Sequence, residues 1–214
     1  MKKKLSVLMC IVLVLSMLLT LTGCSGDKAK LVGKWKCEKN MAQSFNAGVA
    51  AGDPTVAEYV ALDEFNVVVY MEFYEDDTYS IYADEDSVRL AMETMKEDLV
   101  EGIGRYMEDL IFEQTGLTLP ADQILEMAGM SMDDLLGQIV TDDLVDEMIN
   151  EIATKGQFKA ADGKLFTSAG LEYSIDPAVY ETYTLEGDTL TVLEYVGGED
   201  VDVSIYPMVF VKID

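Results

Sequence analysis

Between Glu64 and Tyr74 the chain sets Phe65, Val67, Val69, Met71 and Phe73 at every second position, with Asn66, Tyr70, Glu72 and Tyr74 among the residues between them. A period of two sends alternate side chains to opposite faces of a strand, so one face of this segment has to be covered. Glu75, Asp76 and Asp77 supply a tight turn, and Thr78 to Ala83 returns with Tyr79 and Ile81 in phase. The pattern predicts an antiparallel hairpin with its acids at the tip and one apolar face.

Other segments repeat the alternation. Leu31 to Asn40 reads as a first strand, with Val32, Lys34, Lys36 and Glu38 on one face and Gly33, Trp35 and Cys37 on the other. After Gly156 come Gly156 to Ala161, Lys164 to Thr167, Leu171 to Ser174, Tyr180 to Glu186, Thr189 to Tyr195, and Ile205 to Ile213. Asp162-Gly163 and Glu186-Gly187-Asp188 are hairpin signals, and Gly197-Gly198 marks a more open loop. Met41 to Leu62 predicts a loop with a short helix on each side of Gly52-Asp53-Pro54.

From Asp84 to Lys155 the period changes. Val88, Met92, Met95, Leu99, Ile103, Tyr106 and Leu110 are three or four apart, one stripe of a helix from Glu85 to Gln114 ended by Gly116 and Pro120. Ala121 to Ala128 is a second helix. Ser131 caps a third through Met132, Leu135, Leu136 and Ile139, and Thr141 opens a fourth carrying Leu144, Val145, Met148 and Ile152.

Short strands in meander order escape bare edges by closing, which predicts an α+β fold: an antiparallel up-and-down barrel or strongly curled sheet of about eight strands. A four-helix block, residues 84–155, is inserted between the third and fourth strands. Leu31-Val32-Gly33-Lys34-Trp35, Phe73-Tyr74-Glu75-Asp76-Asp77-Thr78-Tyr79, and Tyr183 to Thr191 resemble, in that order, the small lipocalin-like domains of bacterial lipoproteins. The resemblance implies a single lipocalin-like domain, residues 31–214, in which Gly33 lets backbone pass closely and Trp35 plugs one end of the barrel. Two features depart from that pattern: the helical block is far larger than a lipocalin loop, and Asp77 stands where a glycine is usual.

The N-terminus carries Lys2, Lys3 and Lys4 and then an apolar run from Leu5 to Leu21, the basic and apolar regions of a secretory signal. A single-span anchor is the competing reading, since about 17 apolar residues approach the lower limit for a bilayer. Leu21, Thr22, Gly23 and Cys24 resemble the lipobox of bacterial lipoproteins, followed by a polar tether, residues 24–30. The resemblance implies removal of residues 1–23, a diacylglycerol thioether on Cys24, and a protein held by lipid on the extracytoplasmic face of a cell membrane.

The whole chain carries 15 basic and 40 acidic side chains, a net −25, which becomes −28 once the three lysines of the signal are removed. Nucleic acid is not expected as a partner, because binding it draws on Lys and Arg to neutralise phosphates. With no histidine, the commonest general base and metal ligand are missing, along with every Ser/His or Cys/His arrangement. Carboxylate pairs such as Asp76/Asp77, Asp133/Asp134 and Asp142/Asp143 lie in turns and at helix starts, where solvation and capping explain them. No enzyme, metal or cofactor is expected. Cys37 keeps no thiol partner once Cys10 is removed and Cys24 acylated, and its register with Trp35 suits a small buried residue.

The helical block holds seven of the ten methionines that follow the signal. Flexible methionine repacks around varied apolar partners. A small apolar or amphipathic ligand is therefore expected between sheet and helices, on Phe65, Val67, Val69, Met71, Phe73, Tyr79, Ile81, Met92 and Met95. The rival expectation is an acidic scaffold that docks a basic protein of the cell envelope, because the block concentrates 19 acids against four bases.

Overall fold

The computed structural model describes residues 26–168, 170–198 and 203–214. Cys24 and the preceding Leu21, Thr22 and Gly23 lie outside the described residues.

Eight antiparallel strands close into one barrel in strict sequence order: β1 (Gly33–Asn40), β2 (Asn66–Phe73), β3 (Thr78–Ala83), β4 (Thr154–Ala161), β5 (Lys164–Thr167), β6 (Tyr180–Glu186), β7 (Thr189–Val196) and β8 (Met208–Lys212). β8 closes the ring on β1 through Trp35↔Lys212 and Lys36↔Val211. The alternation of β2 is realised fully, with Val67, Val69, Met71 and Phe73 buried inside the barrel. Asp77, at the β2–β3 tip, adopts a left-handed φ of 66°. Aspartate tolerates that region better than most residues, and Lys28 Nζ meets its carboxylate at 2.6 Å.

One end of the barrel is packed solid. Trp35, Phe73, Phe158, Leu165, Leu190 and Phe210 are all buried there, with Phe73 and Phe158 ring centroids 4.7 Å apart. A helix, α1 (Gly26–Leu31), seals this end from below. It replaces the described part of the expected polar tether and the first residue of the expected strand, which begins at Gly33 instead, because Leu31 turns inward to a fully buried position where its carbonyl accepts the Trp35 indole N–H at 2.7 Å. Gly33, at φ 126°, leaves no room for a side chain beside the Asp214 carbonyl.

The other end is covered by helices. α2 (Ala42–Gly52) and α3 (Pro54–Ala57) fill the β1–β2 connection, separated by Asp53, whose carboxylate accepts from the amides of Thr55 and Val56. The inserted block between β3 and β4 has four helices: α4 (Glu85–Thr115), α5 (Ala121–Ala128), α6 (Met132–Ile139) and α7 (Asp142–Ile152). Asp84, Ser131 and Thr141 cap α4, α6 and α7 by accepting amide hydrogen bonds, and Gly116 ends α4 in a left-handed conformation. α4 packs on β2 and α7 on β3. Val88, Met92, Met95 and Leu99 lie in the core as their spacing predicts, but Leu110 is exposed because α4 extends beyond the elements that cover its first half.

Two expected strands are altered. Leu171 to Ser174 is a turn, held by Tyr173 N–H donating to the Gly170 carbonyl at 3.3 Å. Ladder pairing before the last strand is interrupted at Pro207, which has no amide hydrogen, so β8 starts at Met208 and Val203–Ile205 forms a 3-10 turn.

Candidate functional site

The barrel is not filled along its whole length. Between the packed end and the helices lies a cavity of about 450 Å³. β2 contributes Val67, Val69 and Met71, and Phe65 just precedes it; β3 contributes Ile81, β7 Val192, and β8 Met208 and Phe210. The cover contributes Met41, Ser44 and Phe45 from around α2, Val88 from α4, and Met148 and Ile152 from α7. Ile205 and Tyr206, just before β8, complete one side. The sequence folds this way locally because β3 feeds directly into α4 and α7 into β4, so the block is tethered at the barrel end where both strands stop.

Among the described residues the polar groups in this wall are few: Lys39, Ser44, Glu181 and Tyr206. Ser44 Oγ lies 3.0 Å from Ser204 Oγ, tying α2 to the 3-10 turn. Lys39 Nζ donates to the Pro207 carbonyl at 3.4 Å, in an exposed setting. Tyr206 donates its hydroxyl to Glu181 Oε1 at 2.6 Å. Burial pushes the Glu181 carboxyl above the ordinary carboxylate range, and the Tyr206 hydrogen bond offsets part of this. The Tyr206 phenol is itself pushed up, first by burial and then by the neighbouring Glu181 charge.

Glu181 reaches the interior through the phase of β6, which it shares with Tyr183 and Leu185. Across from it the register with β7 slips between Thr182 and Tyr183, so Leu193 and Glu194 are both exposed while Tyr195 pairs opposite Glu181. Neither Glu181 nor Tyr206 stands out by composition. The signal that marks Glu181 is a single acid on the inward phase of an otherwise apolar strand face; Tyr206 sits before Pro207 in a segment with strand-like sequence, and its inward turn has no periodic signature.

Of the expected ligand-binding residues, Phe65, Val67, Val69, Met71 and Ile81 line the cavity. Phe73 and Tyr79 belong instead to the packed end, where Tyr79 donates its hydroxyl to the Ser168 carbonyl at 3.0 Å. Met92 and Met95 belong to the core between α4 and its neighbours and do not line the cavity, because only the first turn of α4, at Val88, overhangs the barrel mouth. Gly33 and Trp35 lie at the packed end, joined there by Lys212, whose Nζ lies 5.2 Å from the Trp35 ring and donates to the Val32 carbonyl at 2.7 Å. Cys37 is buried beside them, and burial raises its thiol pKa. Tyr70 and Tyr82 stack at 5.4 Å with Lys34 above Tyr70, outside the cavity.

Among the described residues no three Cys, Asp or Glu side chains converge as a metal site, and no helix is long and apolar enough to cross a membrane. Fold and cavity define the class: an eight-stranded up-and-down β-barrel with a helix-covered apolar interior. No family model, curated protein or solved structure matches the chain.

Proposed function

We propose that this protein is a non-enzymatic, lipocalin-like binding lipoprotein, anchored through lipid on Cys24 to the extracytoplasmic face of a cell membrane, that holds a small apolar or amphipathic molecule inside its barrel. The observation that carries this reading is the cavity of about 450 Å³ walled by Phe65, Val67, Val69, Met71 and Ile81. The chamber is partly open to solvent, and an apolar guest that displaces water from its apolar wall gains the free energy of burying that surface. Pockets that bury small ligands fall in this size range, with a few placed polar groups in an apolar wall. The absence of histidine from the sequence supports binding rather than catalysis.

Native mass spectrometry on the full chain tests the reading. A co-purified small molecule at one per chain is expected; apoprotein alone, with no uptake of any added alkyl ligand, would overturn it. Growth with radiolabelled palmitate tests the anchor separately, with label on the wild type and none on a Cys24→Ser variant.

A second reading, an acidic docking protein for a basic partner, draws on the far end of the helical block, where Phe112, Leu117 and Met127 are exposed among acids. It requires binding that weakens steeply with salt.

A further inference from the structure

Among the described residues Glu181 is the only acidic one in the cavity wall, where the other polar members are Lys39, Ser44 and Tyr206. Tyr206 occupies Oε1; Oε2 has no hydrogen-bond partner among the described residues. No lysine or arginine nitrogen comes within 4.0 Å of the carboxyl among them, where the ion pairs involve Lys28, Arg89 and Arg105. Lys39, the one cation in the wall among the described residues, is turned to the Pro207 carbonyl in an exposed setting. Glu181 is half-buried, with Oε2 accessible to whatever fills the chamber, and a cation brought to that oxygen against an apolar wall gains a charge-assisted hydrogen bond. An anionic guest would bring like charge beside Glu181, and a neutral alcohol would leave its charge unpaired. The field of a chain with net charge −25 also concentrates cations near the protein.

We propose that the guest is an amphipathic amine, its alkyl or ring body in the chamber between β2 and β8 and its single ammonium seated on Glu181. This rests on the reading of the cavity as a binding site. Tyr206 is then a positioning residue, which holds the carboxylate with its second oxygen turned to the guest.

Isothermal titration of the full chain with octylamine, octanoate and octanol, three probes of one chain length, separates the two levels. Octylamine is expected to bind about tenfold or more tighter than the other two, the ratio that one charge-assisted hydrogen bond supplies. In Glu181→Gln this preference should fall to near parity. Equal or tighter binding of octanoate or octanol to the wild type, or an amine preference that survives in Glu181→Gln, overturns the amine assignment while leaving the cavity reading in place. Binding of none of the three overturns both. The wild-type comparison decides the assignment even if the variant does not fold.

Discussion

The indole N–H of Trp35 donates to the Leu31 carbonyl at 2.7 Å, and neither residue has any exposed surface. This bond fastens α1 across the packed end of the barrel, so the strand that closes the ring and the helix that seals it are set by one pair. Trp35→Phe would keep most of the ring but leave a buried carbonyl without its donor. The expected loss is roughly 2 kcal/mol, read from urea unfolding. Trp35 is the one tryptophan of the chain, so its emission should be blue-shifted and resist acrylamide until unfolding.

Gly102 distinguishes packing from propensity. In an open helix, glycine to alanine stabilises by about 1 kcal/mol. Here a Cβ at Gly102 would run into the Tyr59 carbonyl where α4 crosses the end of α3. Gly102→Ala is expected to destabilise by about 1–3 kcal/mol instead, as overpacking does. Thermal unfolding of the variant gives the sign directly. Gly137, with open space around its Cβ position, is the control, and Gly137→Ala should stabilise.

Glu181 makes stability depend on pH in a predictable direction. Its folded pKa is raised by burial above the ordinary value of 4.5, so within the window between the two values the native state holds more proton than the unfolded chain. Stability contributed by this group therefore falls as pH rises through that window, and the full penalty remains above it. Glu181→Gln, which can still accept from Tyr206, removes the titration. Denaturant midpoints of the two proteins should differ by a constant amount below pH 4.5 and then diverge in favour of the variant as pH rises.

Much of the barrel could be read from alternation. Phe65 to Phe73, Trp35 with Cys37, and the turns at Asp162-Gly163 and Glu186-Gly187-Asp188 each state their phase locally, and the structure closes them in chain order. What was not legible depends on contacts made far along the chain. α1 forms where a tether was expected because Leu31 docks under Trp35, and Lys212 joins that end from the last strand. Met92 and Met95 have the right stripe for facing a ligand, yet a helical stripe does not say which neighbour it meets; here it is buried in the core beneath the helices and does not reach the chamber. Glu181 depended on phase within β6, and its opposition to Tyr195 depended on a bulge in β7 that no turn residue announces.

The cavity also predicts where bulk can be added. Val69 points into the chamber from the middle of β2. Val69→Phe should occupy part of the void with a stability change under about 1 kcal/mol, unlike the same enlargement in a filled core. Octylamine or octanol binding should weaken at least tenfold while the circular dichroism spectrum is preserved. Unchanged affinity in a folded variant would place any guest elsewhere.

Xenon tests the chamber itself, since an apolar void admits the gas without needing any polar recognition. Crystals of the protein, pressurised with xenon, should show a bound atom in contact with Val67, Met71 and Phe210, inside the barrel and beneath α4 and α7. Electron density with no xenon there, and with those side chains closed against one another, would contradict the account.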